Sequence, residues 1–213
     1  MCLPMDLQLV LLPWDDTTEL QVRALLTAAR WNKVQEARQL LCRPQDPNRG
    51  YDWAPLHMAA RFGSAEVALL LLQARASINL RDSEGHSPLQ VATYFNRIEA
   101  VRTLLRAGAA KEQGDHEGRS PLHVAAKCGS LEVAHLLLEA RANQDIQDDA
   151  GRTPLHEAAC YNMLEAASLL LDAGTDKDLQ SAEGLTPLHF AVVHNQPEMV
   201  QVLLKARVRK NLR

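Results

Sequence analysis

Residues 115–147 read DHEGRSPLHVAAKCGSLEVAHLLLEARANQDIQ, and the fold follows from how this stretch punctuates itself. Ser120 can accept bonds from the free backbone amides of a helix start, and Pro121 suits the first helical position because no amide is needed there. Leu122, Ala125 and Ala126 give the helix that follows one apolar face. Gly129 ends it, since a residue at positive φ is wanted at that point. A second helix runs from Leu131, carrying Val133, Ala134, Leu136, Leu137 and Leu138 at helical spacing. A polar segment then leads from Asn143 to Gly151, where Asp148-Asp149-Ala150-Gly151 reads as a turn. Each helix covers about 8–10 residues, too short to persist alone in water. Neighbours must supply the stability.

Neighbours of the same kind are present. Pro55, Pro88, Pro121, Pro154 and Pro187 recur every 33 residues, within A-P-L-H-M-A-A, S-P-L-Q-V-A-T, S-P-L-H-V-A-A, T-P-L-H-E-A-A and T-P-L-H-F-A-V. The units tile 49–81, 82–114, 115–147, 148–180 and 181–213 without an insertion. This pattern resembles the ankyrin repeat family, whose signature is T-P-L-H-x-A-A at that period. The resemblance covers 49–213 closely and 18–48 with gaps. There, Ala28-Ala29-Arg30-Trp31-Asn32 parallels Ala59-Ala60-Arg61-Phe62-Gly63, and Val34 to Leu41 parallels the second helix. Lacking the T-P-L-H start and more polar, 18–48 reads as an N-terminal capping repeat. The resemblance implies an all-α solenoid of stacked antiparallel helix pairs with projecting turn or β-hairpin fingers. It also implies binding of other macromolecules on the fingers and concave face, without catalysis by the repeats themselves.

Departures from the pattern are informative. Ala54 replaces the capping Ser or Thr, a loss of roughly 1 kcal/mol in a typical helix. Asp52 stands where other units have Gly85, Gly118, Gly151 and Gly184, so the first finger is expected to be atypical. Asn96, Asn162 and Asn195 replace the helix-ending Gly, and Asn is the next-best residue for positive φ. At the second helix end the residues alternate, Arg75, Gly108, Arg141, Gly174, Arg207, and a left-handed Arg costs on the order of 1 kcal/mol. No functional reading attaches to that alternation. The last unit has no extra polar helix over its outer face, and Lys205, Arg207, Arg209, Lys210 and Arg213 read as a makeshift cap. Residues 1–17 form an apolar leader outside the repeats. Its Asp6–Leu12 alternates partly like a strand and is similar to the last strand of a ubiquitin-like β-grasp fold, as in a truncated ubiquitin-like plus ankyrin protein. The other reading is a leader that lies against the capping repeat or stays mobile.

Composition narrows the function. The 213 residues are 46% hydrophobic, 23% charged and net −3, a soluble folded composition with no global basic field for nucleic acid or anionic membranes. No apolar run approaches the roughly 18–20 residues of a membrane span, and the start lacks the basic and small-residue marks of a secretory signal. Cys2, Cys42, Cys128 and Cys160 form no CxxC pair and read as reduced thiols, so an intracellular, cytoplasmic location is expected, with the nucleus left open. A Cys128–Cys160 disulfide is the weighed alternative to two free thiols. His57, His123, His156 and His189 share one position with Gln90. Equivalent atoms on stacked helices lie about 8–10 Å apart, whereas zinc ligands lie about 2 Å from one ion. These residues therefore read as hydrogen-bonding groups, and neither metal nor cofactor is expected. Neither G-x-G-x-x-G nor G-x-x-x-x-G-K occurs, and no catalytic residue is assigned.

The aromatic residues point to a binding site. At the first-helix ends the pairs run Arg30-Trp31, Arg61-Phe62, Tyr94-Phe95, Lys127-Cys128, Cys160-Tyr161 and Val193-His194, and these hold five of the nine aromatics. Tyr51 and Trp53 lie on the first finger. Rings gathered on one rim suit a partner surface, because interface hot spots favour Trp, Tyr and Arg; the other reading packs them against the neighbouring finger bases. The candidate surface is Trp31, Tyr51, Trp53, Arg61, Phe62, Tyr94, Phe95, Lys127 and Tyr161, with Asp149 and Arg152 at the fourth finger. Unit 148–180 carries seven acidic residues against two basic ones, net −5, while 181–213 is +3 and 49–81 is +2. An acidic fourth unit would steer a basic partner segment mainly through on-rate. The basic end lacks the interleaved aromatics of a nucleic-acid surface. The reading is a monomeric, non-catalytic scaffold or adaptor for one or more proteins. The alternative is the substrate-recognition arm of a larger ligase or kinase whose catalytic part lies outside this chain. An enzyme in its own right would require a deep pocket, which a thin two-helix slab rarely offers.

Overall fold

The computed structural model describes residues 16–42, 46–50 and 52–209, and every regular element among them is an α-helix. The helices come in pairs. The first pair is α1 (Asp16–Arg30) and α2 (Val34–Leu41), followed by α3 (Pro55–Phe62) and α4 (Ala65–Gln73), then α5 (Pro88–Tyr94) and α6 (Ile98–Arg106). Next come α7 (Pro121–Cys128) with α8 (Leu131–Glu139), α9 (Pro154–Cys160) with α10 (Leu164–Asp172), and α11 (Pro187–Val193) with α12 (Pro197–Arg209). The five prolines each open a first helix. First helices stack in one row from α1 to α11 and second helices in another from α2 to α12. The strand-like leader, apart from the two residues that open α1, lies outside the described residues.

Packing explains the residue choices. In the first row Ala28, Ala29, Ala59, Ala60, Ala92, Ala125, Ala126, Ala158 and Ala159 are sealed, and their small side chains let successive helices approach. Leu25, Leu56, Leu89, Leu122 and Leu155 fill the space between rows, and Leu71, Leu104, Leu137, Leu170 and Leu203 do so from the second row. At the open end of the stack Val192 is 61% exposed, although its counterparts Ala60, Thr93, Ala126 and Ala159 are buried.

The expected left-handed stops are in place at Gly63, Gly129, Asn96, Asn162 and Asn195, and Asn32 adds one in the capping pair. Arg75 and Arg141 are left-handed as well, at φ 65° and 60°. Arg207 departs from the series, because α12 continues through it to Arg209. Arginine favours the right-handed helix. In the earlier units the loop into the following layer holds the left-handed turn.

Of the two finger forms expected, turn or β-hairpin, the described fingers are turns. Asp82, Asp115 and Asp148 head three of them. Each Oδ1 accepts two backbone N–H groups: from Glu84 and His86, from Glu117 and Arg119, and from Ala150 and Arg152. These local side-chain bonds take the amides that a strand ladder would use. Adjacent fingers are joined by the Asp149 amide donating to Glu117 O at 3.1 Å and the Ala182 amide donating to Ala150 O at 2.9 Å.

One bond repeats from layer to layer. His57, His123 and His156 place Nε2 at 3.1, 2.8 and 3.0 Å from the carbonyls of His86, Arg152 and Leu185. Gln90 Nε2 donates likewise to Arg119 O at 2.6 Å. Nδ1 of His123 and His156 accepts the amides of Ser120 and Thr153 at 3.1 and 3.0 Å, which leaves the proton on Nε2. At Ala54 the pattern fails, and the buried His57 Nδ1 has no partner. His57, His123 and His156 are thus neutral cross-layer connectors.

Ala54→Ser should restore the missing partner and raise stability by about 1 kcal/mol, read from the urea midpoint. Burial holds His57, His123 and His156 below the ordinary histidine value of 6.5. The unfolded chain therefore takes up protons first as pH falls. Their contribution to stability is complete above pH 6.5 and is lost as pH drops below it. Urea unfolding from about pH 8 to about pH 5 should show that decline. His123→Gln, which copies Gln90, should flatten it.

Candidate functional site

Every first helix ends at an equivalent place, so the end residues line up in two rows. Arg30, Arg61, Tyr94, Lys127, Cys160 and Val193 form one, and Trp31, Phe62, Phe95, Cys128, Tyr161 and His194 the other. Stacking sets a first-row residue beside the second-row residue of the next layer. Arg30 Cζ lies 5.1 Å from the Phe62 ring centre, Arg61 Cζ 4.7 Å from Phe95 and Lys127 Nζ 5.0 Å from Tyr161. Cys160 Sγ follows the same diagonal, 3.8 Å from His194 Nε2.

Within layers, Arg30 also covers Trp31 at 5.0 Å, and Arg61 covers Phe62 at 5.6 Å and Trp53 at 4.8 Å. Tyr94 and Phe95 meet edge to face at 5.2 Å. A strip of rings with guanidinium groups between them therefore runs from Trp31 to Tyr94. Cation–π contacts of this kind contribute about 0.5–1 kcal/mol each at exposed sites.

The rings divide by exposure. Trp31 is 62% exposed and Tyr94 59%, with Tyr161 also open, whereas Trp53, Phe62 and Phe95 are half-buried. Trp53 and Phe95 pack against the core. The packing reading thus fits Trp53 and Phe95, while Trp31, Tyr94 and Tyr161 leave ring surface open. Tyr51 lies outside the described residues. Arg97 joins the strip without any sequence signal of its own: its Nε donates to Arg61 O at 2.8 Å. Gly63 permits that crossing, since a Cβ there would come within 3.2 Å of the Arg97 Cδ.

The fourth finger is built differently. Arg152 donates from Nε and Nη2 to Asp148 Oδ2 at 3.0 and 2.8 Å. Its Nη1 sits 3.2 Å from Glu157 Oε1, within ion-pair reach although not aligned for a hydrogen bond. Asp148 and Glu157 are both buried. Burial pushes the Glu157 carboxyl above its ordinary range, against the opposing pull of Arg152. Arg152 is therefore engaged inside the protein, while Asp149 stands exposed at the tip. Of the other acids in 148–180, Glu165 and Asp172 lie on α10 in the second-helix row, beside a shallow hollow with Leu131 and Ser168. These two acids lie in the second-helix row, away from the first-helix ends that carry the rings.

Nucleophilic chemistry finds little support here. Cys42, Cys128 and Cys160 are free thiols, and burial raises Cys128 and Cys160 above the ordinary thiol value, away from the reactive thiolate. Among the described residues no helix is long and apolar enough to cross a membrane.

A family model of ankyrin repeats matches in three copies, over residues 8–82, 56–148 and 140–213, and the chain belongs to that family. No curated protein matches the chain. Ankyrin repeats are in general protein–protein interaction modules.

Arg152→Ala strands two buried carboxylates and should cost about 2 kcal/mol of unfolding free energy, below the 3–5 kcal/mol of a fully buried pair because Arg152 is partly solvated. Asp149→Ala should stay within about 0.5 kcal/mol. Urea titration of both variants checks the division between inward and outward finger residues.

Proposed function

We propose that this ankyrin-repeat chain is a non-catalytic scaffold or adaptor that holds a protein partner against the strip from Trp31 to Tyr94, with Lys127 and Tyr161 extending it. The supporting observation is that Trp31 and Tyr94 stay open to solvent beside a core already filled by Leu and Ala. Large rings are costly to leave wet, and interface hot spots favour Trp, Tyr and Arg. Arg30 beside Trp31, and Phe95 beside Tyr94, hold the exposed rings in place before any partner arrives, which limits the ordering cost of association. In this reading the chain works as a monomer inside the cell, in keeping with its free thiols.

The second reading makes it the recognition arm of a larger ligase- or kinase-type protein. The open final face favours it: Val192 and His189 are exposed there, while their counterparts in earlier layers are sealed. A neighbouring domain would pack on that face, and the ring strip would keep its role.

Tyr94→Ala should change stability by no more than about 0.5 kcal/mol, because the ring is mostly exposed. It should weaken partner capture from the native cell about tenfold or more per folded molecule. Phe62→Ala should weaken capture as well, with some loss of stability. Leu131→Ala, on the second-helix row, should retain the same proteins as the wild type. Unchanged capture by both ring variants would remove the strip from the site.

A further inference from the structure

We infer that the ring strip recognises carboxylates, and that its ligand is a short acidic segment of a partner protein held by the edges of Arg30 and Arg61. This rests on the strip being the partner surface.

The inference starts from how the arginines are used. Arg102 pairs with Glu99, Arg119 with Asp115 and Glu117, and Arg152 with Asp148 and Glu157. Among the described residues no carboxylate lies within ion-pair distance of Arg30, Arg61 or Arg97. Rings crowd the Arg61 guanidinium at 4.8 Å (Trp53), 5.6 Å (Phe62) and 4.7 Å (Phe95). Arg30 lies near Trp31 and Phe62 at 5.0 and 5.1 Å. Among the described residues no group accepts from the in-plane N–H groups of the Arg30 and Arg61 guanidiniums, so these donors remain for bonding. A carboxylate is planar and can accept two such bonds in that plane.

The surroundings strengthen the match. Arg61 is half-buried, so a charge pair formed there is less screened than one in open water. Arg97 is fixed by its bond to Arg61 O and adds a third positive charge. Trp31 and Tyr94 stand exposed at the two ends, ready to contact apolar side chains flanking the acid. The three layers involved span roughly 20 Å, about six residues of extended chain. A nucleic-acid polyanion is a poorer fit, because the chain is net −3 and a long strand would meet further acidic layers.

The test uses the full chain against immobilised peptides of about twelve residues, matched in sets that differ only at a central pair: Glu, Gln or phosphoserine. Apolar residues flank the pair at varied spacing. The Glu set should be retained about tenfold better than the Gln set, and the advantage should shrink as salt rises. Arg61→Gln and Arg30→Gln should each abolish the preference. Arg61→Lys should lose most of it, since Lys keeps the charge without the fork. Because Arg61 packs on three rings, circular dichroism checks its folding, and the exposed Arg30 gives an independent variant.

Equal retention of Glu and Gln peptides overturns the inference, and so does a preference intact in both Gln variants. Stronger retention of phosphoserine than of Glu overturns it in favour of a phosphate ligand. If Tyr94→Ala still abolishes retention when Glu and Gln bind alike, the strip stands as a partner surface and only the carboxylate assignment falls. If no peptide is retained, the carboxylate assignment also falls, and the capture experiment decides the surface separately.

Discussion

Register between layers depends on one repeated bond, from the third residue of a first helix to the carbonyl just ahead of the next layer's capping residue. His57, Gln90, His123 and His156 all make it. The donor is buried and its other polar atom is committed to its own helix cap, except at Ala54. A slip of one residue would strand both groups in an apolar setting, at a cost of about 1–3 kcal/mol for each. The alanine row adds the steric half of the same constraint, since only small side chains allow the helices to come close enough for the bond. Together they turn a period in the sequence into alignment in space. The two rows of first-helix end residues exist because of that alignment.

Much of this was legible from punctuation. The prolines, the left-handed Gly and Asn positions and the periodic Leu and Ala residues each act locally, so their meaning survives without knowledge of distant contacts. The ring rows were legible too, because a fixed period converts a sequence position into a place on the surface. Direction was the illegible part. Arg61 and Arg152 are both arginines near a finger base, yet one lies among rings and the other turns inward to Asp148 and Glu157. The net charge of 148–180 leaves placement open for the same reason, since summing over a segment ignores which helix row each acid faces. Arg97 carried no periodic signal, whereas the finger turns were legible from residues such as Asp148-Asp149-Ala150-Gly151.

Stability and binding draw on the same strip without conflict because the rings differ in depth. Phe95 and Trp53 contact the core and act as footings. Trp31 and Tyr94 project beyond them, Trp31 joined through Arg30 and Tyr94 through the edge of Phe95 rather than through deep apolar burial. Such a joint holds geometry at little cost in buried area, so the outer rings keep most of their surface for a partner. A patch built only from buried rings would be rigid and closed, and one built only from exposed rings would be loose.

The first finger explains why this strip lies at one end of the stack. In the third and fourth layers an Asp heads the finger and an Arg four residues later pairs with it: Asp115 with Arg119, Asp148 with Arg152. The equivalent positions in the first full layer are Arg49 and Trp53. With no acid at the head and a ring at the foot, that finger cannot close on an internal ion pair of this kind. Its ring instead receives Arg61 from the helix, and the charge of Arg61 goes unmatched by any described carboxylate. Two substitutions in one turn thus exchange a self-contained finger for an aromatic, positively charged surface. The same loop position that stabilises later layers from within becomes, in the first, part of what a partner can touch.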